Sequence, residues 1–300
     1  MKISALLALG ACLTLGLLFV VGTVLTRRLE TEPLATTPWG PETSFLFTRS
    51  GRVHILDAGE GAAVLLVHGS GRSVADWQEG LVDQLVTGHR VIGFDSYGFG
   101  LSDRNHPFEY GNALWARQAI DVLDALEIQR AVVVGHSAGG VVAALLAADH
   151  PERFRGAVFV GHGLAMDPVQ VLPFLPGVGE LWLAQTTVFG DTFSDRHRLR
   201  AESSYRIRGT RAALLTFIRR QYTLDGFRLL RGTYEDIEIP VLQIHGTLDE
   251  SIPIEAARAL NARLHDARFV AVEGSSHDVH IDAPKQLAEE VAAFVATLEP

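Results

Sequence analysis

Residues 131–149 read AVVVGHSAGGVVAALLAAD. The opening Ala131–Gly135 is a continuous apolar run, the pattern of a strand covered on both faces inside a parallel sheet. From Ala138 onward alanine and leucine dominate, which predicts a helix. Between the two, Gly135-His136-Ser137-Ala138-Gly139 matches G-x-S-x-G where that motif carries chemistry, at a strand turning sharply into a helix. Such a turn forces the central serine into strained backbone angles, and Gly135 and Gly139 remove side chains that would clash with it. Ser137 is therefore the candidate nucleophile. The Ala138 N–H and the positive end of the helix are available to a developing oxyanion. Without its strand and helix the same pentapeptide would be a glycine-rich turn with no chemistry.

The pattern repeats on either side. Phe45–Arg49 and Arg52–Ala58 predict a hairpin around Ser50-Gly51. Strands are predicted at Ala63–His68, Arg90–Asp95, Gly156–Val160, Val241–His245 and Arg268–Val272, and helices at Val74–Val86, Ala113–Leu126, Ala138–Asp149, 254–264 and 284–298. Within Val74–Val86, Trp77, Leu81 and Leu85 share one face. Repeated strand–helix units imply an α/β, doubly wound, mostly parallel sheet with right-handed crossovers.

A serine hydroxyl needs a base, and the base needs an acid to orient it. Val241–His245 runs into Gly246-Thr247-Leu248-Asp249, so Asp249 lies just past a strand's C-terminal end, where such sheets collect ligands. Glu250 is its neighbouring alternative. The last strand ends at Glu273-Gly274, and His277 follows at once as the candidate base, with His280 as rival. The loop His68-Gly69-Ser70-Gly71 supplies a second oxyanion donor, the Ser70 N–H, beside that of Ala138. His68, which closes a strand, reads as structural.

From about residue 43 to 300 the chain resembles the α/β-hydrolase superfamily, in the single-domain branch with a helical lid. The matching residues are His68-Gly69-Ser70-Gly71, Asp95-Ser96-Tyr97-Gly98-Phe99-Gly100-Leu101-Ser102, Gly135-His136-Ser137-Ala138-Gly139-Gly140, Gly246-Thr247-Leu248-Asp249 and Gly274-Ser275-Ser276-His277. The resemblance makes the second segment a structural turn that shapes the pocket, so Asp95 and Ser102 are not triad candidates. It also implies Asp249 rather than Glu250 as the acid, and supports Ser70 and Ala138 as the donors. Ser137 argues against haloalkane dehalogenases and epoxide hydrolases, which carry aspartate there. The glycine-rich segments also resemble meta-cleavage product hydrolases.

The core is expected at 43–161 and 238–300, with a helical lid inserted at 162–237. The lid's apolar residues (Leu164, Met166, Val169, Val171, Leu172, Phe174, Leu175, Trp182, Leu183, Val188, Phe189 and Phe193) either line an acyl or aryl pocket or pack the lid onto the core. Pro168, Pro173, Pro176, Gly177 and Gly179 predict a bent entrance. Arg196 to Arg211 form a basic stretch read as a solvated helix face.

At the N-terminus, Ile3–Leu25 is uncharged between Lys2 and Arg27-Arg28, and as a helix it would be ~35 Å long, enough to span a bilayer. Residues 1–28 are read as a membrane anchor or signal segment, with an uncleaved anchor preferred because no small-residue cleavage site closes the run. Export after signal cleavage and acylation at Cys12 are the alternatives, and the side of the membrane is undetermined. Residues 29–42, with three prolines, read as a linker. The net charge of −9 argues against general nucleic-acid binding. One cysteine allows no internal disulfide and no Cys/His zinc site, and no cofactor or metal is expected.

Together these features predict a serine hydrolase that cleaves a carboxylic ester of a small or medium hydrophobic substrate through an acyl-enzyme. Hydrolysis of a C–C bond stands second. A membrane-tethered binding module on the same scaffold is the reading from another class.

Overall fold

The computed structural model describes residues 2–33, 44–106, 109–164, 174–175, 177–185, 203–221 and 233–298. Eight strands form one sheet: β1 (Ser44–Thr48), β2 (Gly51–Ala58), β3 (Ala62–Val67), β4 (His89–Phe94), β5 (Ala131–His136), β6 (Phe154–Val160), β7 (Val241–Gly246) and β8 (Ala267–Val272). Their spatial order is β1-β2-β4-β3-β5-β6-β7-β8. The β1–β2 hairpin and the β2–β4 pairing are antiparallel; every later pairing is parallel. The order reverses between β3 and β5, which makes their C-terminal ends the crevice where α/β sheets bind ligands.

The apolar runs are buried on both faces because alternate residues feed two separate cores. Leu65, Val67, Ala131 and Val133 join Trp115, Ala119 and Val142 on one face, under the helices Asn112–Ala125 and Ala138–Asp149. Val64, Leu66, Val132 and Val134 join Trp77, Leu81, Leu85, Leu287 and Val291 on the other. Each fully buried aliphatic or aromatic side chain contributes about 1.5–3 kcal/mol of transfer free energy.

The helix expected over Val74–Val86 is present with one difference. It starts at Ala75, and its middle turn, Gln78–Val82, is π-wound. The wider turn sets Gly80 at φ +107° directly against Pro284, where a β-carbon would lie 2.6 Å from the proline ring. Trp77, Leu81 and Leu85 still share the buried face.

Between β6 and β7 the described helices are Val178–Gln185 and Thr210–Gln221. The second lies over the core: Phe217 stacks on Trp115 at 4.7 Å between ring centres. A β-carbon on Gly98 would meet Ala213 at 2.6 Å. Arg104 fastens this helix to the turn below it, bonding the Ser102 and Gly100 carbonyls at 2.7 and 2.8 Å and Thr210 Oγ1 at 2.9 Å. Of the arginine stretch read as a solvated face, Arg206 and Arg208 are exposed as expected, residues 196–202 lie outside the described residues, and Arg211 departs from the reading. Arg211 is buried, donates to the Tyr205 carbonyl at 2.5 Å and lies over the Tyr205 ring. Among the other apolar residues expected in the lid, Leu183 is buried and Phe174 and Leu175 are exposed. Met166, Val169, Val171, Leu172, Val188, Phe189 and Phe193 lie outside the described residues.

The N-terminal helix, Lys2–Leu29, contains a stretch, Gly10–Leu29, long and apolar enough to cross a membrane, by length and composition. One face packs on the helix Val178–Gln185 through two glycines. A β-carbon on Gly22 would lie 2.7 Å from the Leu181 nitrogen, and one on Gly177 2.4 Å from the Phe19 nitrogen. The residues after the helix hold on to the insertion. The Glu30 carboxylate is buried and accepts from the Gly209 and Arg211 N–H groups at 2.8 and 2.7 Å, capping the helix Thr210–Gln221 with negative charge. Glu32 pairs with Ile207 in a parallel bridge. Leu13, Leu17 and Val20, on the outer face, are more than half exposed.

Candidate active site

Ser137 follows β5 directly and caps the helix Ala138–Asp149 with φ +52° and ψ −115°. Glu127 is the other non-glycine residue with positive φ among the described residues. The two motif glycines are required by contact: a β-carbon on Gly135 would lie 2.1 Å from the Gly139 carbonyl oxygen, and one on Gly139 2.2 Å from that of Val67. The strained serine is pinned on both sides of its peptide. Its N–H donates to the Val160 carbonyl at 2.9 Å, and its own carbonyl accepts from His162 Nδ1 at 2.9 Å.

His277 Nδ1 and Asp249 Oδ2 are 2.8 Å apart, so these two expected partners meet. Asp249 is buried, and each remaining contact also asks it to accept. Its Oδ1 takes the Ser251 and Ile252 N–H groups, each at 2.8 Å, and its Oδ2 lies 3.1 Å from His245 Nε2. Burial alone would raise its pKa. Hydrogen bonds from His245 and His277, the His277 charge and the Ile252 N–H outweigh burial and hold the carboxyl well below the usual range. Of the two alternatives, Glu250 is exposed, and His280 is buried between Trp77 and His136, with ring centres at 4.7 and 4.3 Å.

The loop after β3 reaches the serine. A β-carbon on Gly69 would lie 3.4 Å from Ser137 Cβ, which sets the backbone leading to Ser70 beside Ser137, while Ala138 begins the helix. Among the described hydrogen bonds none joins Ser137 to His277. Such bonds are often long in free enzymes and tighten with substrate.

His68 and Asp95 are structural, as expected. His68 Nε2 accepts the Ser96 N–H at 2.9 Å, and its Nδ1 lies 2.7 Å from the Gly69 carbonyl. Asp95 is fully buried and bonded to His54 at 2.6 Å and to the Val74 and Leu101 N–H groups at 2.7 Å. A β-carbon on Gly100 would sit 1.9 Å from Asp95 Oδ2, which explains the glycine in that turn. Ser102 Oγ accepts the His54 N–H.

A profile of the α/β-hydrolase fold matches residues 62–284. The chain belongs to that family. Like other α/β-hydrolases it has curated relatives across most of its length. It is 30% identical over 262 residues to the 2-hydroxymuconate semialdehyde hydrolase of Pseudomonas sp. strain CF600, covering 82% of this chain and 90% of that protein. The solved meta-cleavage product hydrolase of Pseudomonas fluorescens IP01 superposes with a TM-score of 0.68 at 23% identity, over 85% of this chain and 97% of that one. A membrane phospholipase A described as a bacterial virulence factor superposes with a TM-score of 0.65 at 19% identity, over 99% of this chain and 97% of that one.

Several supporting residues were missed from sequence: His162, His136, His245, Arg72 and Asp278. A signal was there, since β3, β5, β6 and β7 each carry a histidine within two residues of their C-terminal ends, at the ligand-binding edge. This α/β-hydrolase uses His162 as a neutral strut. Its Nδ1 serves Ser137 and its Nε2 receives the Tyr234 hydroxyl at 2.6 Å, while burial lowers its pKa to about 4. A histidine with a folded pKa below its unfolded one contributes stability that is complete above the unfolded value. That stability is lost as pH falls toward the folded one. Between pH 6.5 and about 4 the chain should therefore lose about 3 kcal/mol through His162. His68 and His136 are shifted the same way and add to the loss. Melting temperatures across that range, compared with His162→Asn, check this; equal pH slopes in the two chains would refute it.

Proposed function

We propose that this chain is a serine hydrolase that forms an acyl-enzyme on Ser137, with His277 as proton carrier, Asp249 as orienting acid, and the Ser70 and Ala138 N–H groups as oxyanion donors. The observation that carries this reading is a strained, glycine-flanked serine at the sheet's switch point, among loops that also hold a buried Asp249 hydrogen-bonded to His277. Ser137 Oγ adds to a carbonyl carbon, His277 takes its proton and passes it to the leaving group, and water then releases the acid.

For the bond that breaks, kinship favours the C–C reading over the ester reading placed first from sequence. The curated relative is a semialdehyde hydrolase and a solved neighbour is a meta-cleavage product hydrolase. In that chemistry the bond lies next to the attacked carbonyl, and the departing carbon leaves as a stabilised enolate that takes the proton from His277.

A second reading, ester hydrolysis of an amphiphilic acyl substrate, rests on other observations. The matches to C–C hydrolases cover 82–85% of this chain, whereas that to the membrane phospholipase covers 99%. An anionic dienoate also calls for a cation, and Arg72, the buried arginine of the oxyanion loop, is already paired with Asp278 and Asp76. The apolar outer face of the N-terminal helix suits a bilayer anchor.

The deciding experiment uses the full chain in detergent. Fluorophosphonate labelling is followed by parallel turnover of a 2-hydroxy-6-oxo-dienoate and of p-nitrophenyl esters of graded acyl length. Labelling at Ser137 with preferred dienoate turnover supports the C–C reading, and preference for longer esters supports the other. A folded chain that neither labels nor turns over either substrate sinks both and leaves the binding module.

A further inference from the structure

Beside the Asp249–His277 couple lies a buried polar knot that the acyl-enzyme chemistry does not use. Arg72 leaves the oxyanion loop, Asp278 follows His277, and His136 precedes Ser137; Asp76, Trp77 and His280 complete it. Arg72 Nη2 donates to Asp278 Oδ1, and Arg72 Nε lies 3.4 Å from Asp76 Oδ2. The Arg72 and Asp278 side chains are only 7% and 12% exposed, so water screens their attraction little. His136 Nε2 lies 3.1 Å from the His277 carbonyl oxygen. A carbonyl only accepts, so that nitrogen carries the proton and donates it. Burial, reinforced by the charges of His280, His277 and Arg72, holds the His136 pKa well below its ordinary value and keeps the ring neutral. His136, Asp278 and His280 place three ligand atoms within 4.8 Å of one another, but a metal ion there would face the guanidinium already bound to Asp278.

The knot joins the three loops on which the reaction depends. His136 ties the serine turn to the backbone of His277, and Arg72 ties the oxyanion loop to the residue after His277. We propose that Arg72 and Asp278 are positioning residues whose ion pair holds the oxyanion donors and the His277 imidazole at their working separation. The proposal rests on the acyl-enzyme reading. A buried ion pair is a weak source of net stability, because desolvation offsets most of the attraction, and well-packed apolar replacements are often as stable. Its geometric effect is larger, since a displacement of about 1 Å at a reacting centre costs about 100-fold in rate.

The double variant Arg72→Met/Asp278→Leu, built in an Asp76→Asn background because Asp76 also pairs with Arg72, separates the two roles by removing all three charges and leaving none uncompensated. It is expected to melt within about 4 °C of the wild-type chain, the scale of a 1–2 kcal/mol change in a chain of this size. Its kcat on the preferred substrate should fall about 100-fold, with KM nearly unchanged, and fluorophosphonate labelling should slow in parallel. A folded double variant with wild-type kcat and labelling rate would overturn the proposal. Should the double variant not fold, Arg72→Lys decides. It keeps the charge but loses the planar fork that spans Asp278 and Asp76, so unchanged melting with reduced kcat supports positioning, and wild-type kcat overturns it. The wild-type chain is labelled first, because failure of Ser137 to react there rejects the acyl-enzyme reading itself, a separate outcome from an intact reaction indifferent to the latch.

Discussion

Ser137→Ala is expected to lower turnover by about a millionfold, the scale on which a serine nucleophile and its base act as one unit, while the fold persists. Ser137→Gly adds a sharper test. The native serine holds φ +52° and ψ −115°, a conformation that costs a residue with a β-carbon about 1–3 kcal/mol and glycine far less. The glycine variant should therefore be as inactive as the alanine variant yet melt at a higher temperature than it. Calorimetry on the two, beside active-site labelling, separates strain held for exposure of the hydroxyl from strain without purpose. Equal melting temperatures would mean that the turn, not the residue, bears the cost.

Asp249→Asn is expected to lower kcat by about ten-thousandfold, the effect of presenting a base with the wrong tautomer. The geometry explains why an isosteric change should do so much. Both carboxylate oxygens are surrounded by donors: two backbone N–H groups on Oδ1, and the rings of His277 and His245 at Oδ2. An amide must turn its NH₂ toward one of these sets. Facing the backbone, it breaks the Ser251 and Ile252 bonds; facing the rings, it forces His277 Nδ1 to accept and leaves the proton on the nitrogen that should take it from Ser137. Activity against pH for the variant checks this, because a base trapped in the wrong tautomer should regain rate as hydroxide replaces it. A pH-independent loss would point instead to a collapsed loop.

Much of this arrangement is legible in the order of residues. The apolar runs at Ala63–His68 and Ala131–Gly135 become β3 and β5 because each alternate residue finds a core on its own side of the sheet. Asp249 and His277 are legible for a similar reason: both follow directly on strands, so their places are set by the sheet's edge. The supporting residues were harder to read. Nothing local distinguishes Arg72, whose partner Asp278 is 206 positions away. His162 reads as the first residue of an insertion until the return of β6 beside β5 sets it under the Ser137 carbonyl. Arg211 misleads by composition, because its charge is buried by a tyrosine ring and by carbonyls that only the folded insertion assembles. The π-wound turn at Gln78–Val82 was equally hidden, since the residue it sets Gly80 against, Pro284, comes from the far end of the chain.

The grip of Glu30 and Gly22 on the insertion also bears on how the molecule can be handled. A catalytic domain on a slack tether can be cut from its anchor without harm, and it tumbles freely above whatever surface holds it. Here the leading helix is instead packed on the helix Val178–Gln185, and Glu30 behind it caps the helix Thr210–Gln221. A cut after residue 42 would strip the buried Glu30 carboxylate from two backbone N–H groups and uncover the helix Val178–Gln185 along its length. The trimmed protein would then be a different object, with those two helices loosened and a newly sticky face. Whatever orients that helix also orients the two helices it holds.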